Sequence, residues 1–584
     1  MKSLRLWERF FISNGGAGAR VPKTSSHPWR LMSFVLISGA VVILGACEDR
    51  DTTTTEVRPR PRASRSVGKR PASIRRAEAP FATLSSSAPS AAGFFFDETG
   101  TLVVRVRDSA DFLAANASVA QLVAARAIGT DYRWKGQVKV QPADFTFYEL
   151  AGWRDSVFEH VFGRFRELKS LDLNEKENRV VVGVEPGALD AMRRQLPEVL
   201  ASYGIDSNAV SLVARSGALS EARSLGGFVG GNVITNHADT LIGGVAQVAV
   251  SPGGYILSTI GVVLNYGGVR SVLTCSHCTK TAYSPDSDTL YQPDIPYGYE
   301  SADPGTSTCG SWPFTFSCRS SDASIIRLFS GDTSEIGLIA RTTYGSYFNA
   351  GSLTWDTDRP YFIITGTSPS VSTGTVVQKV GRATGWTYGS VTATCVDVTN
   401  NDNGGIKVLC NTETDYYSSG GDSGGPVFVW DGVNVASFAG IHALHDGSHK
   451  YFSPLTQINY DFTSSMSIAR TTSLSAPSIS GSVSSSHPLI SWASISGATE
   501  YELSRSWCVY DGLSPSCASG SNGWEYVGKV YSTSDVDAEM TVSSYNGGSV
   551  PGIGNYGWVG YKLSATNKRD VSGISNEIYF VLSP

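Results

Sequence analysis

The chain has 584 residues, which is too many for one ordinary hydrophobic core and favours two to four domains. Apolar residues make up 41% of the chain, enough to build those cores, and the formal net charge of −5 excludes little by itself. The 61 Gly and 25 Tyr, together with short Val, Ile and Tyr runs between turn residues, favour β-rich structure over a helical bundle.

Residues 1–47 predict export from the cell. Basic residues up to Arg30 precede the apolar run LMSFVLISGAVVILGAC, which is short for a membrane span and typical of the apolar part of an export signal. The run ends in LGAC, which resembles a bacterial lipobox, so we expect Cys47 to be lipidated and to become the N-terminus after cleavage. An ordinary export signal with a cysteine nearby is the alternative. We expect an exported protein, anchored in a membrane through Cys47 or secreted after processing.

Residues 48–98 are dominated by Pro, Ser, Thr and Arg, with few apolar residues. Such a segment buries too little surface to offset the entropy of ordering it, so it is predicted to be a disordered tether. Residues 99–220 differ, because DFTFYELAGWRDSVFEHVFGRFRELKSL has helical periodicity and NRVVVGV has a strand pattern. This segment is predicted to be an α/β domain without chemistry of its own.

Residues 221–472 consist of short predicted strands separated by glycine-rich turns. Between 225 and 470 there are 11 Lys or Arg against 19 Asp or Glu, an excess of eight acidic residues. Affinity for nucleic acid comes mainly from Lys and Arg that contact phosphates. The composition therefore argues against a nucleic-acid partner for this domain.

The stretch YYSSGGDSGGPVFVW, residues 416–430, carries the strongest chemical signal. Its glycines permit a sharp turn that exposes Ser423, and the amide N–H groups of Gly421 and Ser423 can converge on one point as an oxyanion hole. Ser423 is therefore a candidate nucleophile. A glycine-rich turn that leads into a strand is the alternative.

The hexapeptide GDSGGP is the nucleophile motif of chymotrypsin-like serine proteases, which this domain resembles. The resemblance requires an upstream histidine, which VRSVLTCSHCTK supplies at His277, whereas His237 lacks the preceding apolar strand. It also requires a carboxylate between the two, and SSDASIIRL supplies Asp322 at the start of an apolar strand. The order His277, Asp322, Ser423 is that of the chymotrypsin family. The resemblance implies an all-β catalytic domain of two six-stranded β-barrels.

Other aspartates between His277 and Ser423 lie in polar loop sequence and are expected to be solvated. They are Asp286, Asp288, Asp294 and Asp303.

A second block, VVQKVGRATGWTYGSVTATC at 376–395, resembles the bacterial streptogrisins. That resemblance implies a basic residue, Lys379 or Arg382, that neutralises Asp422 beside the nucleophile. Two surface cations in a hairpin are the alternative. Streptogrisin-like enzymes also carry an N-terminal pro-region that assists folding and is then removed, a part that residues 99–220 resemble. The chain is thus expected to be a zymogen.

Substrate preference in this family comes from two walls of the primary pocket. The first wall is Tyr417, Ser418 and Ser419, which offers hydroxyls and no carboxylate, so a preference for Lys or Arg is disfavoured. The second lies in SFAGIHALHDG, where the Gly-Ile-His ending at His442 resembles glutamyl endopeptidases. A histidine there would contact an acidic side chain. We expect a preference for Glu or Asp, with a hydrophobic preference as the alternative.

Nine cysteines in an exported chain imply disulfides, with Cys47 set aside for lipid. Local loops are expected for Cys309 with Cys318, Cys395 with Cys410, and Cys508 with Cys517. Cys275 and Cys278 remain. They either form disulfides in another pairing, for example with Cys309 or Cys318, or join Cys309 and Cys318 in a four-cysteine zinc site. An oxidising compartment favours bridges, so neither a metal nor another cofactor is predicted.

Residues 473–584 resemble a fibronectin type III sandwich, with Trp492 in its core and Tyr561 on a later strand. Such modules are spacers or binding surfaces, so this domain is expected to contact a surface ligand rather than to catalyse. The whole sequence predicts a serine endopeptidase acting on protein or peptide substrates. The alternative is a non-catalytic surface binding protein on a protease scaffold.

Overall fold

The computed structural model describes residues 75–582, except 126, 132, 135, 216–219, 222–232, 237, 239, 252–253, 401–403, 473, 511–514, 518–524, 541, 547–556, 568 and 573–574. The predicted export signal with Cys47, the tether up to residue 74, and His237 lie outside the described residues. Within the described part, no helix is both long and apolar enough to cross a membrane.

The N-terminal segment combines helices and strands. Its elements are α1 (Ala79–Ser87), β1 (Ala91–Phe96), β2 (Leu102–Val106), α2 (Phe112–Ala124), β3 (Val138–Pro142), α3 (Phe147–His160), β4 (Leu168–Asn174), β5 (Arg179–Val184), α4 (Leu189–Ser202), β6 (Val210–Ala214) and β7 (Ser220–Glu221). Strands β1, β2 and β3 form one sheet, and β4, β5 and β6 are consecutive in a larger one. Helix α3 begins at a capping box, in which Thr146 and Glu149 satisfy each other's backbone N–H groups.

The first helix and strand of this segment lie within the predicted tether, which therefore ends earlier than residue 98. Phe81 and Phe94 are buried with ring centroids 4.6 Å apart, and Phe81 also lies 5.8 Å from Phe147. The side chain of Glu78 forms a buried ion pair with Arg154. The composition of 48–98 did not reveal this, because its few apolar residues find partners more than fifty residues away in the sequence.

The regular secondary structure of the middle segment consists almost entirely of strands. They are β8 (Leu241–Gly243), β9 (Ala246–Ser251), β10 (Gly254–Thr259), β11 (Val262–Tyr266), β12 (Val269–Thr274), β13 (Thr289–Gln292), β14 (Ile295–Ala302), β15 (Ser307–Cys309), β16 (Phe316–Arg319), β17 (Ser324–Leu328), β18 (Ser334–Ala340), β19 (Tyr361–Thr367), β20 (Val376–Gly381), β21 (Gly385–Asn400), β22 (Ile406–Thr414), β23 (Pro426–Trp430), β24 (Val435–His445), β25 (Lys450–Pro454) and β26 (Met466–Ser467), with helix α5 (Leu455–Asp461) before the last.

Two sheets organise these strands. The first has eight strands in the order β10-β9-β13-β14-β17-β12-β11-β26. The second runs β15-β16-β22-β25-β24-β23-β20-β21 and continues into β4, β5 and β6, while β18 and β19 join it through β24. These numbers differ from the predicted six strands per barrel, because free strand edges pair with neighbouring segments of the chain. Residues of both sheets, such as Val272 and Phe428, share one buried core.

The N-terminal segment joins the second sheet directly. Strand β4 pairs antiparallel with β21, with Leu171 opposite Asp397 and Ser170 opposite Val398. At the same place the guanidinium of Arg75 donates to both carboxylate oxygens of Asp397, at 2.6 and 2.9 Å. Because Asp397 is fully buried, this bidentate pair lies inside the junction rather than on its rim.

The C-terminal segment contains strands β27 (Ile479–Ser484), β28 (His487–Trp492), β29 (Glu500–Tyr510), β30 (Pro515–Cys517), β31 (Glu525–Val530), β32 (Ser534–Val536), β33 (Val542–Tyr545), β34 (Gly557–Thr566) and β35 (Ile578–Leu582). They form a sheet β27-β28-β32 and a sheet β30-β29-β34-β35-β33, with β31 on β29. Trp492 from the first and Tyr561 from the second lie in one buried cluster. Cys508 and Cys517 are opposite each other in the β29–β30 register.

Candidate active site

His277 and Asp322 meet because the strands that carry them are neighbours. Strand β12 pairs antiparallel with β17, with Thr274 opposite Ser324. His277 follows β12 in a short 3-10 helix, Ser276–Cys278, and Asp322 lies just before β17. Adjacent strands running in opposite directions thus bring the end of one to the start of the other.

The contact between the two side chains is short and buried. The Nδ1 atom of His277 lies 2.5 Å from Oδ2 of Asp322, and the His277 backbone N–H donates to Oδ1 at 3.1 Å. Both residues are at most 1% exposed. Burial opposes ionisation of Asp322, but His277 and Arg319 outweigh it, so the pKa of Asp322 lies below its usual value. Asp322 is therefore a carboxylate that fixes the orientation of the His277 ring.

The turn that carries His277 rests on Asp303, a residue that sequence reasoning placed wrongly in solvent. Asp303 is 2% exposed, accepts from the Ser276 hydroxyl at 2.8 Å and pairs with Arg319 at 2.5 Å. Asp286 and Asp294 are exposed and Asp288 is half-buried. The polar loop around Asp303 gave no local sign of its burial, because its partners come from two other strand ends.

Ser423 lies on a loop held by the end of strand β10. Thr259 donates its hydroxyl to the Gly421 carbonyl at 2.8 Å and its backbone N–H to the Ser423 carbonyl at 2.9 Å. A Cβ atom on Gly424 would come 3.3 Å from the Cys275 backbone nitrogen, so this loop packs against the turn that holds His277. The Ser423 hydroxyl donates to the Ala443 carbonyl at 3.3 Å. The structure thus brings the nucleophile loop and the histidine turn together.

The backbone of this loop directs the predicted oxyanion donors. Gly421 has φ +100° and Gly424 has φ +83°, values that favour glycine. The carbonyl of Asp422 accepts from the Gly425 N–H at 2.9 Å. Because carbonyl and N–H point in opposite directions in a trans peptide, the Ser423 N–H points away from Gly425. The assignment of the Gly421 and Ser423 amides as oxyanion donors stays a prediction.

Asp422 is saturated with donors and fully buried. Lys379 donates to its Oδ2 at 2.8 Å and the Thr384 hydroxyl at 2.6 Å, while its Oδ1 accepts from the Ala383 and Thr384 amides. Burial raises the pKa of Asp422, but these donors, led by Lys379, bring it below the usual value. Of the two candidate cations, Lys379 forms the ion pair with Asp422. Asp422 is therefore held as a buried, ionised carboxylate by the donors around it.

The residues of the two predicted pocket walls differ in exposure. Tyr417 is 40% exposed, Ser419 is exposed and Ser418 is buried. His442 is fully buried in β24, where its backbone carbonyl accepts from the Gly424 amide at 2.8 Å. The Ser418 Oγ and the His442 Nε2 have no hydrogen-bond partner among the described residues. Each predicted wall thus carries one buried polar atom without a hydrogen-bond partner in the described part of the chain.

Sequence reasoning missed Tyr416, which lies one residue before the first predicted wall. Its ring is fully buried, and its hydroxyl lies 3.0 Å from the Nδ1 of His442. Nothing in the local pattern singles it out, because a tyrosine before a serine-rich turn is common on protein surfaces. Only the antiparallel strands of the second sheet bring it to His442.

The cysteines form local bridges. Among the side chains that the structure describes, the disulfides are Cys275–Cys278, Cys309–Cys318 and Cys395–Cys410, and the predicted Cys508–Cys517 bridge lies outside them. The first answers the question that the sequence left open, because these two cysteines pair with each other. A four-cysteine zinc site does not fit, since all four thiols are bridged in two pairs. Cys275, His277 and Cys278 are close enough together to resemble metal ligands, but the bridge occupies both sulfurs.

Breaking the buried ion pair between Lys379 and Asp422 should cause a large loss of stability. Lys379→Met leaves the buried Asp422 without its counter-charge, and we expect the free energy of unfolding to fall by about 3–5 kcal/mol. Urea unfolding of a Ser423→Ala chain with and without this change measures it. Arg382→Met is the matched control and should cost clearly less. Equal losses in the two variants would contradict the assignment of Lys379 as the partner of Asp422.

Comparison with known proteins finds similarity among solved structures. No family model and no curated protein matches the chain. A chymotrypsin from Cellulomonas bogoriensis is similar in structure, with 19% identity and a TM-score of 0.27, over 40% of this chain and 100% of that one. A glutamic-acid-specific serine protease that uses a histidine triad in substrate binding has 23% identity and a TM-score of 0.26, over 37% of this chain and 95% of that one. At these scores the likeness assigns neither an activity nor a specificity to this chain.

Proposed function

We propose that the chain is a serine endopeptidase that hydrolyses peptide bonds through an acyl-enzyme on Ser423. The observation that carries the proposal is the buried His277–Asp322 pair, whose turn packs against the glycine-rich loop of Ser423. A nucleophile, a base, a residue that orients the base and backbone donors are the four parts that acyl transfer requires. In fold terms, the two sheets of the middle segment would be the two β-barrels of a chymotrypsin-like domain.

The reaction follows from these positions. The Ser423 Oγ attacks the peptide carbonyl carbon while the Nε2 of His277 takes its proton, and Asp322 stabilises the resulting imidazolium. The carbonyl oxygen becomes an oxyanion that accepts from the Gly421 and Ser423 amides. His277 then gives its proton to the departing amine, which leaves an ester on Ser423. Water, deprotonated by His277, attacks this ester and releases the acid, which restores the Ser423 hydroxyl.

The Ser423→Ala variant tests the proposal. Without the nucleophile we expect turnover of peptide substrates to fall roughly 10⁴-fold or more. A fluorophosphonate probe should label the processed wild type and the processed Ser330→Ala control, in which an exposed serine is changed. It should not label Ser423→Ala. Turnover or labelling retained in Ser423→Ala would overturn the enzyme assignment and favour the alternative, a surface binding protein on a protease scaffold.

We also propose that the N-terminal segment up to residue 220 is a pro-region. Strand β7 pairs antiparallel with β24, with Glu221 opposite Leu444 and Ser220 opposite His445. Those positions follow His442 on the second pocket wall, so the segment covers a strand edge that an extended substrate would use. The β4–β21 pairing and the Arg75–Asp397 ion pair attach the segment to the same sheet at a second place. Cleavage near residue 220 would free this edge.

For the substrate we propose a preference for Glu or Asp before the cleaved bond. The support is the pair of orphaned polar atoms, Ser418 Oγ and His442 Nε2, which a substrate oxygen would satisfy. Asp422 is already saturated, so it cannot attract a Lys or Arg side chain. The acidic charge of the domain opposes this preference only at long range, because salt screens it beyond about 8 Å. A hydrophobic preference is the rival.

A peptide library cleaved by the processed enzyme checks the preference. We expect enrichment of Glu or Asp before the cut, and His442→Val should lower kcat/KM for a Glu substrate roughly 10- to 100-fold because a hydrogen bond to a charged group is lost. The same variant should change kcat/KM for a Leu substrate much less. Enrichment of aliphatic or aromatic residues instead would establish the hydrophobic rival.

The lipid anchor at Cys47 and a ligand-binding role for the C-terminal sheets stay predictions from the sequence. We propose an exported protein whose acyl chains hold it at a membrane surface. A Cys47→Ser chain should then move from the membrane to the soluble fraction on fractionation. Equal partitioning of variant and wild type would contradict the anchor.

A further inference from the structure

The strongest unexplained feature of the chain is the contact between Tyr416 and His442. Both side chains are fully buried, their rings meet edge to face with centroids 5.6 Å apart, and the Tyr416 hydroxyl lies 3.0 Å from Nδ1 of His442. The other ring nitrogen, Nε2, is buried without a partner in the described part of the chain. One nitrogen of the imidazole therefore has a hydrogen-bond partner, and the other is buried without one in the described part of the chain.

The roles of the two nitrogens follow from hydrogen-bond balance. A phenol keeps its proton at neutral pH, and burial raises the pKa of Tyr416 further. Its buried O–H needs an acceptor. The Thr414 side chain also hydrogen-bonds to Tyr416, and when the Thr414 hydroxyl donates, the Tyr416 proton is left for the Nδ1 lone pair of His442. When Nδ1 accepts, the proton of a neutral imidazole must sit on Nε2. The unpartnered Nε2 is then a hydrogen-bond donor.

The surroundings of His442 keep the ring neutral. Burial lowers its pKa well below the ordinary value. The cations that face it lower the pKa further, namely Lys379 on β20 and Lys450 on β25, as does His445 on its own strand. Asp422 acts in the opposite direction, but its charge is shared with Lys379. Tyr416, whose hydroxyl lies 3.0 Å from Nδ1, contributes no charge.

We propose that Tyr416 is a positioning residue that holds His442 as the Nε2–H tautomer, so that the pocket binds a substrate oxygen through a neutral hydrogen-bond donor. The proposal rests on the pocket described under the proposed function and adds the state in which it recognises its substrate. Ser418 Oγ, the second orphaned atom, would bind the same substrate group from the opposite wall. Recognition of the substrate then depends on a hydrogen bond from the neutral His442 ring and does not require that ring to carry a positive charge.

The test compares substrates that differ only in the residue before the cut. Titration of the catalytic histidine affects kcat/KM for both substrates equally. It therefore cancels in the ratio of kcat/KM for a Glu peptide to kcat/KM for a Leu peptide. In the wild type this ratio should stay flat from about pH 6 to about pH 9, a range that spans most of the titration of an ordinary histidine. A ratio that rises steeply as the pH falls would show that His442 binds as a cation, and would overturn the proposal.

Tyr416→Phe removes the hydroxyl and keeps the ring. Because Nδ1 then loses its donor, the proton can move between the two nitrogens, and we expect the Glu to Leu ratio to fall roughly tenfold. Tyr561→Phe is the matched control, since it removes a buried hydroxyl that donates to Asp537 at 2.6 Å in the C-terminal sheets. An unchanged ratio in Tyr416→Phe, with fluorophosphonate labelling intact, would overturn the proposal.

A spectroscopic measurement decides the tautomer independently of activity. In ¹⁵N-histidine-labelled Ser423→Ala protein, the His442 signals should show a protonated Nε2 and an unprotonated Nδ1. A protonated Nδ1 would overturn the proposal even if Tyr416→Phe fails to fold. Failure of the proposed function has a different signature, because a wild type that the probe does not label can still show the expected nitrogen spectrum.

Discussion

The buried carboxylate of Asp422 is the constraint on which the candidate site depends. It sits beside Ser423 and receives donors from Lys379, from the turn after β20 and from the Ser419 amide. A charge in the interior is tolerated only when its hydrogen bonds are satisfied, so the chain around it has little freedom. The ion pair therefore fixes the nucleophile loop from one side, while Thr259 fixes it from the other.

The same principle shapes the histidine turn. Asp322 and Asp303 are both buried, and each is matched by a partner with a defined direction: His277 for the first and Arg319 for the second. Neither pair is local in sequence, because the pairing of β12 with β17 brings His277 to Asp322, while Asp303 follows β14 and Arg319 ends β16. The two sheets thus present two rigid polar clusters, and the site lies where these clusters meet. Rigid support of this kind keeps reacting groups in place at no further entropic cost.

The N-terminal segment and the pocket share a strand. Strand β24 carries His442, pairs with β23 behind the nucleophile loop and pairs at its end with β7. In the proposed enzyme, both the shape of the pocket and the coverage of its edge would therefore depend on this one strand. His442 on this strand has an unpartnered Nε2, and the Tyr416 hydroxyl lies 3.0 Å from its Nδ1. Specificity would depend on a side chain that never touches the substrate.

The sequence by itself determined the β-rich character of the chain and the candidate residues His277, Asp322 and Ser423, since motif spacing and glycine placement are local properties. The choice of Lys379 over Arg382, the burial of Asp303, the Cys275–Cys278 bridge and the contact of Tyr416 with His442 were decided only by the tertiary structure. Each depends on which strand edges pair, and that is set by long-range packing rather than by neighbours along the chain. Composition failed for residues 75–98 for the same reason, because Phe81 and Phe94 are ordered by partners that lie far away in the sequence.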